Sequence, residues 1–145
     1  MIPFVEDLND LCHDLDNRYD INSGGCCYVA YIIAKNLEKH HIPYQLVVAN
    51  DYYVDSNTLE VAINNRIANC NGLGRGVCNH YYLHTTFGDI NPGDEYDEST
   101  TIDITSRDLL WIYTSGWWNW MFQRRYKSVI SRIINRFFNE TFSEE

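Results

Sequence analysis

The stretch "SGGCCYVAYIIAKNLEKHHIPYQLVV" (residues 23–48) decides how the chain is read. From Cys26 onward, Tyr28, Val29, Ala30, Tyr31, Ile32, Ile33 and Ala34 form an unbroken apolar run. A surface helix would alternate apolar and polar faces, whereas a run that is apolar nearly all round predicts a central, buried helix over residues 26–40. "NLEKHH" closes it with cations near the C-terminus, where the helix dipole favours them. Pro43 stops the helix, and "YQLVVAN" reads as a strand.

Outward from this centre, "PFVEDLNDLCHDLDNR" (residues 3–18) puts Phe4, Leu8, Leu11 and Leu15 at helical spacing, with Pro3 suited to a first turn. "SNTLEVAINNRIANCNG" (residues 56–72) predicts a third helix, stopped at Gly72. "VCNHYYLHTTF" is a second strand, "GDINPGDEYDES" a polar turn, and "TTIDIT" a third strand. Ser106 is placed to cap a short helix through "RDLLWIY", and "TSGWWNW" interrupts it. A last amphipathic helix is expected over residues 119–138. Val129, Ile130, Ile133, Ile134, Phe137 and Phe138 form its apolar stripe, with Arg124, Arg125, Lys127, Arg132 and Arg136 outside it. The class is α+β: a central helix on a small, mainly antiparallel sheet. Residues 1–106 are expected to form the core and 107–145 a C-terminal helical extension packed on it.

At 145 residues the chain fits one domain, and 45% hydrophobic content is enough for a real core. The net charge of -9 argues against nucleic acid as a partner, since phosphate binding needs clustered positive charge. The charge is uneven. Residues 1–106 carry 5 Lys/Arg against 16 Asp/Glu, and residues 107–145 carry 6 against 4. The five cysteines cannot all pair within the chain. The opening "MIPFVEDLNDLC" has acids where a secretory segment needs an apolar core, so no signal peptide is expected. Free thiols in a cytoplasmic compartment are the expectation. The Asn-, Ile- and Tyr-rich composition suits an AT-rich genome, such as that of many phages.

The chemistry centres on Cys26. Gly24 and Gly25 permit a tight turn and close approach of a substrate. A cysteine at the start of a helix lies at the positive end of the dipole, which favours thiolate, the nucleophilic form. The amides of the first turn, with Gly25 and Cys27 beside the nucleophile, are candidates for an oxyanion hole. His80, on the strand face shared with Tyr82 and His84, is a candidate base. Asp103, between Ile102 and Ile104, is a candidate to orient that imidazole. Cys27 is the alternative nucleophile and His84 the alternative base.

This order, with Gly25-Cys26 opening a helix, Ala30 four residues on, then "NHYYL" and "TIDIT", resembles the papain-like superfamily in its broad sense. It looks most like small transglutaminase-like or papain-like cysteine peptidase domains, over roughly residues 4–106. The resemblance implies a Cys-His-Asp triad of Cys26, His80 and Asp103 that passes an acyl group through a thioester to water or an amine. The substrate would be a peptide or amide, and no cofactor is implied. The chain departs from the family at Cys27, where many relatives have Gly, Ser or Trp. It also has no Gln shortly before Cys26; Asn22 or Ser23 is a candidate substitute. These departures keep open a catalytically inactive relative acting as a structural or binding protein, such as a phage virion component.

Two further constellations have bland readings. Cys70, Cys78, His80 and His84 lack the tight Cys-x-x-Cys pairing of structural zinc sites, so no metal site is expected. The Trp-rich segment and basic last helix are read first as closing the core. They are second a surface for a protein partner or for self-association, and only third a membrane contact.

Overall fold

The computed structural model describes residues 4–21, 26–50, 80–93, 98–115 and 124–143. The helix expected over 56–72, the zinc candidates Cys70 and Cys78, the residues Asn22 to Gly25 and the tryptophans 117, 118 and 120 lie outside them.

Among the described residues there are four helices and one four-stranded antiparallel sheet. In chain order they are α1 (Phe4–Tyr19), α2 (Cys26–Lys39), β1 (Gln45–Asn50), β2 (His80–Thr85), β3 (Gly88–Ile90), β4 (Glu98–Ile102), α3 (Ser106–Ser115) and α4 (Arg124–Thr141). The sheet order is β3-β2-β1-β4. The α+β class therefore holds. One strand escaped the sequence reading: β3 lies inside the segment read as a polar turn, and it pairs Leu83 with Ile90 and Thr85 with Gly88. Three residues with one buried side chain, Ile90, give too little period-2 pattern to stand out.

The centre is α2, which packs against β2, α3 and α4. Its buried residues Cys27, Val29, Ala30, Ile32, Ile33, Ala34, Asn36 and Leu37 spread round most of its circumference. The apolar run dictates this: a helix apolar round most of its circumference lowers its free energy only when covered on several sides. The sheet offers it one face, where Ile90, Leu83, Leu46 and Ile102 form a row across all four strands.

The C-terminal helices share this core. Leu109, Ile112 and Tyr113 of α3 and Ile130, Ile134 and Phe138 of α4 are buried with the residues of α1 and α2. Helix α4 lies beside α2 and runs parallel to it. Tyr28 meets Ser131 at 2.5 Å, Asn36 donates to Asn135 at 2.8 Å, and His40 stacks on Phe138 and Phe142.

The cap of α3 differs from expectation by one residue. Thr105 is the N-cap: its hydroxyl accepts the Asp108 N–H at 3.3 Å, and Asp108 accepts the Thr105 N–H at 3.2 Å. That reciprocal pair is a capping box. Ser106 instead donates its N–H at 2.8 Å and its hydroxyl at 2.7 Å to Glu38, joining the start of α3 to the end of α2. Among the described residues no helix is long and apolar enough to cross a membrane.

Candidate functional site

Helix α2 begins at Cys26, as the glycines and the apolar run predict. The residue is half-buried, and its sulfur faces the protein. Burial pushes the thiol up from its ordinary range, and backbone hydrogen bonds from Tyr81, Cys27 and Cys26 itself pull against that rise without cancelling it. The expected thiolate is therefore not the resting form. The helix start does supply donors to the sulfur, but removing it from water outweighs them.

The Tyr81 bond locates the sulfur. Strand β3 ends at Ile90, and continuing its register would set Pro92 opposite Tyr81. Proline has no N–H to extend a ladder, and at this point of β2 a backbone group of Tyr81 meets the Cys26 sulfur. Cys27 points elsewhere: it is buried, and its thiol donates to the Leu109 carbonyl of α3 at 3.7 Å. Its side chain ties α2 to α3.

His80 is 1% exposed. Alternation along β2 sends its ring to the sheet face opposite Tyr81 and Leu83, where it stacks on Tyr82 at 5.9 Å. Its Nε2 lies 2.6 Å from the Asn91 carbonyl oxygen. A carbonyl can only accept, so Nε2 carries the proton, and Nδ1 is the basic nitrogen of the neutral ring. Asn91 sits in the left-handed region, at φ 60, which asparagine tolerates better than most residues. Asn9 of α1 holds this corner: its Oδ1 accepts the Asn91 N–H at 2.6 Å and its Nδ2 donates to the Asp89 carbonyl at 2.8 Å.

Cys26 and His80 thus reach one edge of β2 from its two sides. His80 bonds to the Asn91 carbonyl, and backbone groups of Tyr81 and Cys27 lie at the Cys26 sulfur.

Asp103 does not orient His80. It follows the end of β4, is exposed, and accepts a hydrogen bond from Gln45 at 2.9 Å. The register explains the separation. Leu46 pairs with Ile102, which sets Asp103 beside Gln45, whereas His80 pairs with Ala49 at the other end of β1. Four residues of strand intervene, roughly 13 Å. The neutral carbonyl of Asn91 stands where the carboxylate was expected. His84 is the histidine that meets a carboxylate, with Nδ1 2.6 Å from Asp89, but that pair is about half exposed and lies at the end away from Cys26. Among the described residues no group of three or more His, Cys, Asp or Glu side chains is placed to hold a metal ion.

Sequence reasoning missed Asn9 and Asn91. Every residue carries a backbone carbonyl, so no side-chain pattern announces one. The usable signal was "NP" closing a strand, a left-handed-tolerant residue before a proline.

Comparison with family models, with curated proteins and with solved structures returns no match to this chain.

Proposed function

We propose that the chain is a cysteine-dependent hydrolase or acyl transferase acting on an amide or peptide bond, on a papain-like or transglutaminase-like core. The observation that carries this reading is the setting of Cys26: the first residue of a buried helix, with its sulfur near the backbone of Tyr81, the strand position next to His80. In this reading His80 is the base: the two side chains reach the edge of β2 from opposite faces, so the thiol proton must pass round that edge to Nδ1 as the sulfur attacks the carbonyl carbon and the S–C bond forms. Nε2 keeps its proton and continues to donate it to the Asn91 carbonyl. The imidazolium then protonates the nitrogen of the breaking C–N bond, and the amine leaves. Water or a second amine resolves the thioester. The amides of the first turn of α2 stabilise the oxyanion. Because burial holds the thiol protonated, deprotonation accompanies attack instead of preceding it.

A second reading, an inactive relative with a structural or binding role, is favoured by one observation: burial raises the Cys26 thiol, while Asp103, the carboxylate expected on His80, bonds Gln45 at the other end of the sheet. Iodoacetamide labelling mapped to each cysteine separates the two. The hydrolase reading expects Cys26 to react much faster than buried Cys12 and Cys27 in the folded protein, with the advantage lost in His80→Ala. Labelling of all three at one slow rate that follows global unfolding sinks it.

A further inference from the structure

We infer that Asn9, on α1, is a positioning residue of the Cys26–His80 site, acting on the imidazole through the backbone of Asn91. The inference deepens the hydrolase reading and rests on it only for its catalytic consequence.

An imidazole that serves as a base through Nδ1 must keep its proton on Nε2. Here that proton is donated to the Asn91 carbonyl, at 2.6 Å. The direction of the carbonyl depends on Asn91 holding its left-handed conformation one residue past the end of β3. Asn9 supplies the hold. One planar amide accepts from Asn91 N–H and donates to Asp89 C=O, gripping the chain on both sides of Ile90. The bond that bears on the Asn91 peptide is the one accepted from its N–H, which Asp could also accept; the bond donated to Asp89 C=O steadies Asn9 itself, and Asp would lose only that one.

The approach of α1 that brings Asn9 there is itself built in. Gly88 opens β3 at φ 132, and a Cβ at that position would stand 3.3 Å from the Val5 side chain of α1. A side chain there would crowd Val5 and would be strained at this positive φ. Three elements distant in sequence, α1, β2 and the end of β3, thus converge on one proton.

The test uses the full-length chain labelled with nitrogen-15, reading the ring nitrogens of His80 and the hydrogen exchange of the Asn91 amide. The wild-type ring shows its proton on Nε2. In Asn9→Ala the expected result is a mixture of ring tautomers, with Asn91 amide exchange faster by about tenfold, as for the loss of one hydrogen bond. Asn9→Asp keeps the acceptor and is expected to retain both the Nε2 proton and the Asn91 protection. A merely structural Asn9 would lower stability and leave the ring tautomer alone. A folded Asn9→Ala with unchanged ring signals overturns the inference, and so does loss of the Nε2 proton in Asn9→Asp. Neither readout needs a substrate. A Cys26 that labels no faster than Cys12 would therefore fail the hydrolase reading while leaving this one intact. If both stand, Cys26 labelling in Asn9→Ala falls by up to about a hundredfold, as for a misplaced catalytic group.

Discussion

The two ends of the sheet handle polar groups in opposite ways. At the end that carries His84, the bonds rest on carboxylates: Asp89 on His84, Asp103 on Gln45, Asp108 on Thr105, and Glu38 on Tyr44 and Ser106. At the end that carries His80, four residues away on the same strand face, the contacts described above are made by neutral groups: the Asn91 carbonyl, the Asn9 amide and the amides around Cys26. Exposure accounts for the difference. The His84 and Asp89 side chains are 52% and 43% exposed, so water carries part of their charge, whereas His80 is 1% exposed. A buried carboxylate beside a buried imidazole would cost several kcal/mol of desolvation. A carbonyl fixes the tautomer without that cost, but it stabilises the imidazolium less. The site is thus suited to a brief proton transfer and not to a standing ion pair.

This contrast can be broken by four measurements. The largest effect is expected from His80→Ala, which empties a buried ring position and strands the Asn91 carbonyl; urea denaturation should show a loss of about 3 kcal/mol. His84→Ala should cost under about 1 kcal/mol, and equal losses would erase the contrast.

Alkali comes next, because the buried thiols are raised. Burial, with Asp16 adding to it, pushes Cys12 up to about 12 from 9.0, and burial raises Cys26 as well. Above their unfolded values the unfolded chain releases these protons first, so stability is full below about pH 9 and falls as pH rises. Cys12→Ala should flatten that alkaline decline, by about 2 kcal/mol near pH 11.

Acid attacks the other end. Burial works to raise Glu38, but hydrogen bonds from Tyr44 and Ser106, with Lys35 nearby, hold it below its usual range. Its contribution is present above the ordinary carboxylate range and is lost as pH falls through the lowered value. Glu38→Gln should remove that acid dependence and cost about 1.5 kcal/mol at neutral pH, read by thermal or urea melts. The smallest effect is expected for Asp89→Asn, at most about 0.5 kcal/mol and vanishing in high salt, as exposed pairs behave.

How much of this was legible beforehand follows from what side chains reveal. The buried helix and its start at Cys26 were readable because periodicity and glycine act locally. The place of Asp103 was not. "TTIDIT" shows a strand and an acid, but only the register of Leu46 with Ile102 says at which end of the sheet that acid falls. Asn9 and Asn91 were hidden because their roles depend on contacts across 82 residues and on a carbonyl common to all. The left-handed turn at Asn91 was the one part with a local signature.

The parallel pairing of α2 with α4 has a consequence for how the protein is made. Asn36 reaches its partner Asn135 across 99 residues, and Tyr28 reaches Ser131 across 103. During vectorial synthesis, the most apolar helix of the chain leaves the ribosome long before the helix that covers it. Throughout that interval its α4 side must be shielded by transient contacts or by a chaperone. Slow translation or premature termination ahead of α4 therefore leaves an aggregation-prone nascent chain, whatever the stability of the finished fold.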